Sequence, residues 1–265
     1  MPSIPANGLI IHYTEHGSGQ PLVLLHTGTA TGQMWERQLP ALQAHFRVIV
    51  PDLRAHGGTD NPSGQFTYRL LADDVAALGE ALALERPFVA GWGDGGQVAL
   101  DFGMRYSDQV QALVIGGAWF SFSEAYLDGI HGLGLLGPGQ VDPAETERNV
   151  PQLVALWREW HPRDEQPDYW QTLLLQISQA WMTPLDYTLE DYHEIRCPAL
   201  IVIGDRDSMI PVGEALALHQ FIRGSELAVV PAGNHSLPVL RPELFASLLL
   251  DFLLRHAAPP KEQGA

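Results

Sequence analysis

Apolar and polar positions along the chain alternate between two rhythms. Leu22 to Leu25, Val48 to Val50, Phe88 to Ala90, Leu113 to Ile115 and Leu200 to Ile203 are short runs rich in Val, Ile and Leu, bounded by turn residues. They lack polar alternation, as parallel strands covered on both faces should. Ala228 to Val230 is a further strand candidate, and Gly8 to His16 reads as an antiparallel opening strand. Between these runs, Thr67 to Leu84, Gly95 to Tyr106, Val212 to Phe221 and Pro242 to Arg255 carry helical periodicity. Strands alternating with helices predict an α/β fold with a doubly wound, mostly parallel sheet.

One region breaks the rhythm. From Trp119 to Arg196 the pattern contains no strand, and it holds Trp119, Trp157, Trp160, Trp170 and Trp181, five of the seven tryptophans. The expected organisation is a core from residues 1–118 and 197–265, with residues 119–196 as a helical cap over the carboxyl ends of the strands. Ligands bind at that edge in open α/β sheets. Most of the cap's aromatics are expected to form its own core, and Trp119 is a candidate for the pocket wall. The tail from 257 to 265 is expected to fray.

Length and charge narrow the picture. A chain of 265 residues suits one large α/β domain with an insertion. A formal net charge of −16 argues against nucleic acid and anionic membranes as partners, and reads first as a solubility device. The single cysteine, Cys197, excludes an intramolecular disulfide and reads as a small buried filler. No basic-then-apolar leader opens the chain, and no apolar run reaches the ~20 residues needed to span a bilayer. The expected location is the cytoplasm.

The strongest local signal is a strand followed by Gly91-Trp92-Gly93-Asp94-Gly95-Gly96 and then a helix. Small residues at 91 and 95 let a sharp strand-to-helix turn pack closely and push the residue between them into the pocket. Gly91, Gly93 and Gly96 also match a dinucleotide-binding G-x-G-x-x-G. That motif needs the first strand of its unit and an acidic residue about 20 positions on. Here the turn follows a middle strand, and the next strand ends at Gly116-Gly117 without a carboxylate. No phosphate loop of the G-x-x-x-x-G-K-[ST] type is present. Downstream, Gly204-Asp205-Arg206-Asp207 follows a strand, where a carboxylate can orient a histidine. Then comes Pro231-Ala232-Gly233-Asn234-His235-Ser236, whose histidine lies between a strand and a helix and can swing over the pocket as a base. His26 and His56 read as loop anchors. His12 and His16 share a strand, ~13 Å apart, so they suggest no metal site. No metal or other cofactor is expected.

Together these residues resemble the α/β-hydrolase superfamily over essentially the whole chain. His26-Thr27-Gly28 is similar to its His-Gly loop, with Thr27 in place of a glycine. Asp52-Leu53-Arg54-Ala55-His56-Gly57 is similar to its Asp-x-x-Gly-x-Gly turn, with Ala55 for the first glycine. The elbow, Cys197-Pro198-Ala199-Leu200-Ile201-Val202 and the segment 231–235 resemble the valacyclovir hydrolase (biphenyl hydrolase-like) group, whose members cleave esters, including amino-acid esters. The resemblance implies Asp207 as triad acid, with Asp205 as runner-up, and His235 as base. It also implies the backbone N–H groups of Gly28 and Asp94 as an oxyanion hole, and Asp94 as a substrate-binding residue; Trp92, beside the elbow, and Trp119, among the cap aromatics, are further substrate-binding candidates. Asp94 would recognise a substrate ammonium.

At the nucleophile position stands Gly93, where that group has serine. Glycine has no hydroxyl, so no acyl-enzyme can form there. It tolerates positive φ and relaxes the turn by ~1 kcal/mol. Losing a triad serine costs on the order of 10⁶ in kcat. The expected function is therefore a serine-type carboxylic ester hydrolase scaffold (esterase- or lactonase-like) in a nucleophile-deficient form, acting on a small-molecule ester. The alternatives are a ligand-binding pseudoenzyme and a non-covalent enzyme using His235 and Asp207 as general base. Whether the glycine is native or introduced, and the oligomeric state, stay open. Between Trp119 and Arg196, thirteen Asp and Glu face four Arg, a net of −9. That balance suits either a cationic substrate or a solvated acidic surface.

Overall fold

The computed structural model describes residues 1–257, so all of the tail expected to fray except Ala257 lies outside the described residues. The elements in order are β1 (Ser3–Ala6), β2 (Leu9–His16), β3 (Gln20–Leu25), α1 (Leu39–Leu42), β4 (Phe46–Pro51), α2 (Tyr68–Ala81), β5 (Phe88–Trp92), α3 (Asp94–Tyr106) and β6 (Ala112–Gly116). The chain continues with α4 (Glu124–Ile130), β7 (Leu135–Gly137), β8 (Gln140–Val141), α5 (Pro143–Asn149), α6 (Pro151–Trp160), α7 (Tyr169–Trp181) and α8 (Leu189–His193). It closes with β9 (Ala199–Gly204), α9 (Val212–Phe221), β10 (Glu226–Val230), α10 (Leu237–Leu240) and α11 (Pro242–Arg255).

Eight strands form one sheet in the order β1-β2-β4-β3-β5-β6-β9-β10. β1, β2 and β4 pair antiparallel, and from β4 to β10 every pairing is parallel. The central strands β5, β6 and β9 are buried at every residue, which is why their sequences show no polar alternation. β10, at the edge, is buried only at Val230. One face packs Leu71, Val75, Val98 and Phe102 of α2 and α3 against Val23, Val89 and Ile115. The other packs Phe245, Leu249 and Phe252 of α11 against Leu24, Ala90 and Val114.

The strand order reverses at β3, whose neighbours are β4 and β5. The loops leaving β3 and β5 therefore diverge to opposite faces and open a crevice at their carboxyl ends, where open α/β sheets bind ligands. Those two loops are His26–Thr29 and the Gly93 turn.

The segment between β6 and β9 holds α4 to α8, in the region where the sequence pattern shows no strand. It also contains a short antiparallel hairpin, β7–β8, where no strand was expected. Its Gly137-Pro138-Gly139 turn is a strong chain reverser, but the flanking runs are too short to show a period of two. The added strand β1 has a similar cause, since Asn7-Gly8 closes a two-residue hairpin onto β2.

Candidate active site

The turn after β5 has the geometry its glycines require. Gly93 sits at φ 59° and ψ −120°, a conformation costly for any residue with a Cβ. Its N–H donates to Gly116 O at 2.9 Å, and its carbonyl accepts from Gln97 N–H at 2.9 Å, so strand, turn and helix are locked together. A Cβ on Gly95 would overlap the carbonyl of Leu25, so the start of α3 lies directly against β3.

Asp207 and His235 come together although 28 residues separate them. His235 Nδ1 lies 2.8 Å from Asp207 Oδ2. The Asp207 side chain is fully buried, and its Oδ1 accepts from the N–H groups of Met209 and Ile210, each at 2.9 Å. These two donors and the imidazole satisfy the buried carboxylate and fix its direction. Asp205 is exposed, and the histidine's partner is Asp207. With Nδ1–H donating to Asp207, Nε2 carries the lone pair, and it points at the elbow: a Cβ on residue 93 would lie 3.3 Å from it.

The same hypothetical Cβ would overlap Thr27 Oγ1. The space a nucleophile's side chain needs is thus taken by the hydroxyl of the residue that replaces a glycine in the loop after β3. The sequence shows that replacement, but nothing in the pattern says where its side chain lands.

Trp92 does not line a pocket. It is buried beneath the elbow, edge-on to Phe245 at 5.2 Å, and its indole N–H donates to the carbonyl of His235 at 2.7 Å. A residue at the end of a fully paired central strand, with the base loop folded over it, is a positioning residue for that loop. Trp119 is also buried, stacked on Tyr126 at 4.8 Å and edge-on to Tyr68 at 5.4 Å.

Asp94 departs most from expectation. Its carboxylate is buried and accepts three hydrogen bonds: from Tyr68 OH at 2.8 Å, Trp181 Nε1 at 2.7 Å and the N–H of Gly28 at 2.9 Å. The Gly28 amide, expected to serve an oxyanion, is committed to this carboxylate. The carboxylate, expected to meet a substrate cation, is closed over by Trp181 from α7. Burial and the charge of Asp94 push the Tyr68 hydroxyl well above its ordinary range, so it remains a donor. Asp94 thereby ties α7 and α2 to the elbow. Tyr68 and Trp181 lie 26 and 87 residues away, and no local pattern announces them.

Three buried imidazoles hold the loop after β3. His26 Nδ1 donates to Thr27 O at 2.8 Å, and its Nε2 accepts from Leu53 N–H at 2.9 Å. His56 Nδ1 donates to Arg54 O, and its Nε2 accepts from Thr29 N–H at 3.1 Å. His161, in the segment between α6 and α7, donates from Nε2 to Thr29 O and accepts at Nδ1 from Gly57 N–H, both at 2.9 Å. Each ring uses one nitrogen as donor and one as acceptor, which only the neutral form can do. Burial lowers the pKa of all three: that of His161 falls to about 4, and that of His56 lies well below the ordinary value. His26 and His56 are thus loop anchors, and His161 is a third that the sequence did not reveal.

The arrangement pairs a carboxylate-oriented imidazole with an elbow that has no side chain. Among the described residues, no group of three or more His, Cys, Asp or Glu is placed to hold a metal ion, and no helix is long and apolar enough to cross a membrane. Comparison with known proteins agrees with the fold. The chain is 28% identical over 260 residues to the 2-hydroxy-6-oxo-2,4-heptadienoate hydrolase of Pseudomonas putida, covering 94% of each. It is 27% identical over 265 residues to the human serine hydrolase BPHL, covering 94% of this chain and 85% of that protein. Among solved structures, the meta-cleavage product hydrolase CumD of Pseudomonas fluorescens superimposes with a TM-score of 0.78 at 24% identity, covering 97% of this chain and 98% of that one. Residues 22–248 match the model of the alpha/beta hydrolase family, and the chain belongs to that family.

Proposed function

We propose that this protein is a small-molecule hydrolase of ester or lactone bonds in which the His235–Asp207 pair activates water directly. Gly93 removes the covalent step that an elbow serine would provide. One observation carries the reading: Asp207 is buried, doubly supported by backbone N–H groups and paired to His235 Nδ1, so His235 Nε2 faces the elbow as a base. Serine-type covalent chemistry is absent because the hydroxyl is absent. General-base catalysis alone contributes about 10²–10⁴. The Asp94 N–H, at the start of α3, is the oxyanion donor on the elbow side. In this reading the segment 119–196 acts as the cap, with α7 shielding the elbow from bulk water through Trp181.

The test is to restore the covalent route. Gly93→Ser alone places a Cβ against Thr27 Oγ1, so the informative protein is Gly93→Ser with Thr27→Gly. On p-nitrophenyl acetate and butyrate its rate should rise by several orders of magnitude over the parent, with a burst of p-nitrophenol. A double variant that is folded and no faster than the parent would show that the pair is not placed for acyl chemistry.

A second reading is favoured by one specific contact. The Gly28 amide is bound by the protein's own Asp94 carboxylate, which leaves the loop after β3 without a free oxyanion donor. A ligand-binding protein would have that property. It predicts that carboxylic acids or lactones raise the melting temperature with no turnover; a melting temperature unmoved across a broad panel sinks it.

A further inference from the structure

The hydroxyl missing from the elbow has a counterpart on the facing loop. Thr27 follows His26 at the carboxyl end of β3, in the crevice where the strand order reverses. Its backbone is held from both sides. Its N–H donates to the sulfur of Met34 at 3.2 Å, and its carbonyl accepts from His26 Nδ1 at 2.8 Å and from Ala30 N–H at 3.2 Å. Its side chain points across the crevice to the elbow, where Oγ1 occupies the volume that a Cβ on residue 93 would require. Among the described residues no protein group hydrogen-bonds this hydroxyl, and the residue is only half-buried. From the same volume His235 Nε2 is 3.3 Å away. Both groups therefore border the same small volume, and two hydrogen bonds of about 2.8 Å let one water reach groups up to about 5.5 Å apart.

Resting on the water-activation reading given above, we propose that Thr27 is a catalytic residue that holds the attacking water against His235. One water proton points to His235 Nε2 and the other to Thr27 Oγ1, which accepts it, leaving a lone pair on the water oxygen for the acyl carbon. In the step, the water oxygen bonds to the carbonyl carbon and its proton passes to Nε2. The imidazolium formed is held by Asp207. The tetrahedral adduct then breaks its bond to the alcohol oxygen, which takes the proton from Nε2. Carboxylic acid and alcohol leave, and His235 and Thr27 return unchanged, with no acyl group attached to either.

The experiment compares p-nitrophenyl acetate hydrolysis by the parent, Thr27→Val, Thr27→Ser, His235→Ala and the pair Thr27→Val with His235→Ala. Valine keeps the branched shape and removes the hydroxyl. The expected result is a kcat about tenfold lower or more in Thr27→Val, with KM and melting temperature nearly unchanged. Thr27→Ser should restore kcat to within about threefold, and Thr27→Val should cost nothing further once His235 is alanine, because the two groups act on one water. If His235→Ala abolishes activity while Thr27→Val leaves kcat unchanged, the role of Thr27 is overturned and the dyad reading survives. If His235→Ala itself has no effect, both fall. A loss in Thr27→Val that serine does not rescue would make Thr27 a packing residue. An acetyl group found on Thr27 by intact mass would make it a nucleophile and overturn the water-holding role.

Discussion

Placing a methyl group on the elbow glycine tests the geometry without relying on any substrate. Gly93→Ala asks an L-residue to adopt φ 59° and ψ −120°, which costs roughly 1–3 kcal/mol. The new Cβ also meets Thr27 Oγ1 in a packed crevice, and overpacking of this kind adds about 1–3 kcal/mol. The sum, about 2–6 kcal/mol, corresponds to a melting temperature lower by roughly 4–24 °C in a protein of this size. A double-mutant cycle separates the two causes. Thr27→Gly removes the overlap but leaves the backbone strain, so the cycle should return a coupling of about 1–3 kcal/mol in favour of the pair. Urea denaturation of the parent, the two single variants and the double variant measures it. If Gly93→Ala melts within about a degree of the parent, the elbow is not strained as described. If the cycle closes with no coupling, Thr27 turns away freely and does not occupy the nucleophile's place.

Two further outcomes follow from the residues around the loop after β3. His161 has a folded pKa of about 4 against 6.5 in the unfolded chain, so below pH 6.5 the unfolded state takes up the proton first. Its contribution, about 3 kcal/mol, is fully present above pH 6.5 and drains as the pH falls toward 4; His56 and His26 act in the same direction. Urea midpoints between pH 7.5 and 4.5 should fall accordingly, with a shallower slope in His161→Ala, and equal slopes in the two proteins would remove His161 from the account. Trp181→Phe keeps an aromatic side chain at the end of α7 but deletes one hydrogen bond to the buried Asp94 carboxylate, which should cost about 1.5–3 kcal/mol. A melting temperature unchanged in that variant would mean that α7 is held by packing alone.

The central sheet was legible because burial on both faces writes itself directly into composition: Leu22 to Leu25 and Leu200 to Ile203 are short, branched and bounded by turn residues, as covered strands are. The elbow was legible because glycine spacing is local, and the order elbow, acid, base because it is sequential; the choice of Asp207 over Asp205 came from the family resemblance, and the structure pairs Asp207 with His235. The fates of Trp92 and Asp94 were not. Trp92 lies one residue from Gly93, yet the alternation of side chains along β5 sends it beneath the sheet edge, toward Phe245 and the His235 loop. Asp94 looked free to meet a cation because its partners, Tyr68 and Trp181, arrive from other elements. Thr27 was visible as a departure from glycine, but its significance needs the crevice between β3 and β5, which exists only once the strand order is known.

The most direct measurement of the central claim is the hydrolysis of p-nitrophenyl acetate by the glycine-elbow protein and by its His235→Ala variant, followed in the steady state and in the first turnover. The account predicts a rate at least about 10²-fold higher in the parent, no burst of p-nitrophenol and no acyl group on the protein. Equal rates in the two proteins would contradict it, because the His235–Asp207 pair would then do no chemistry.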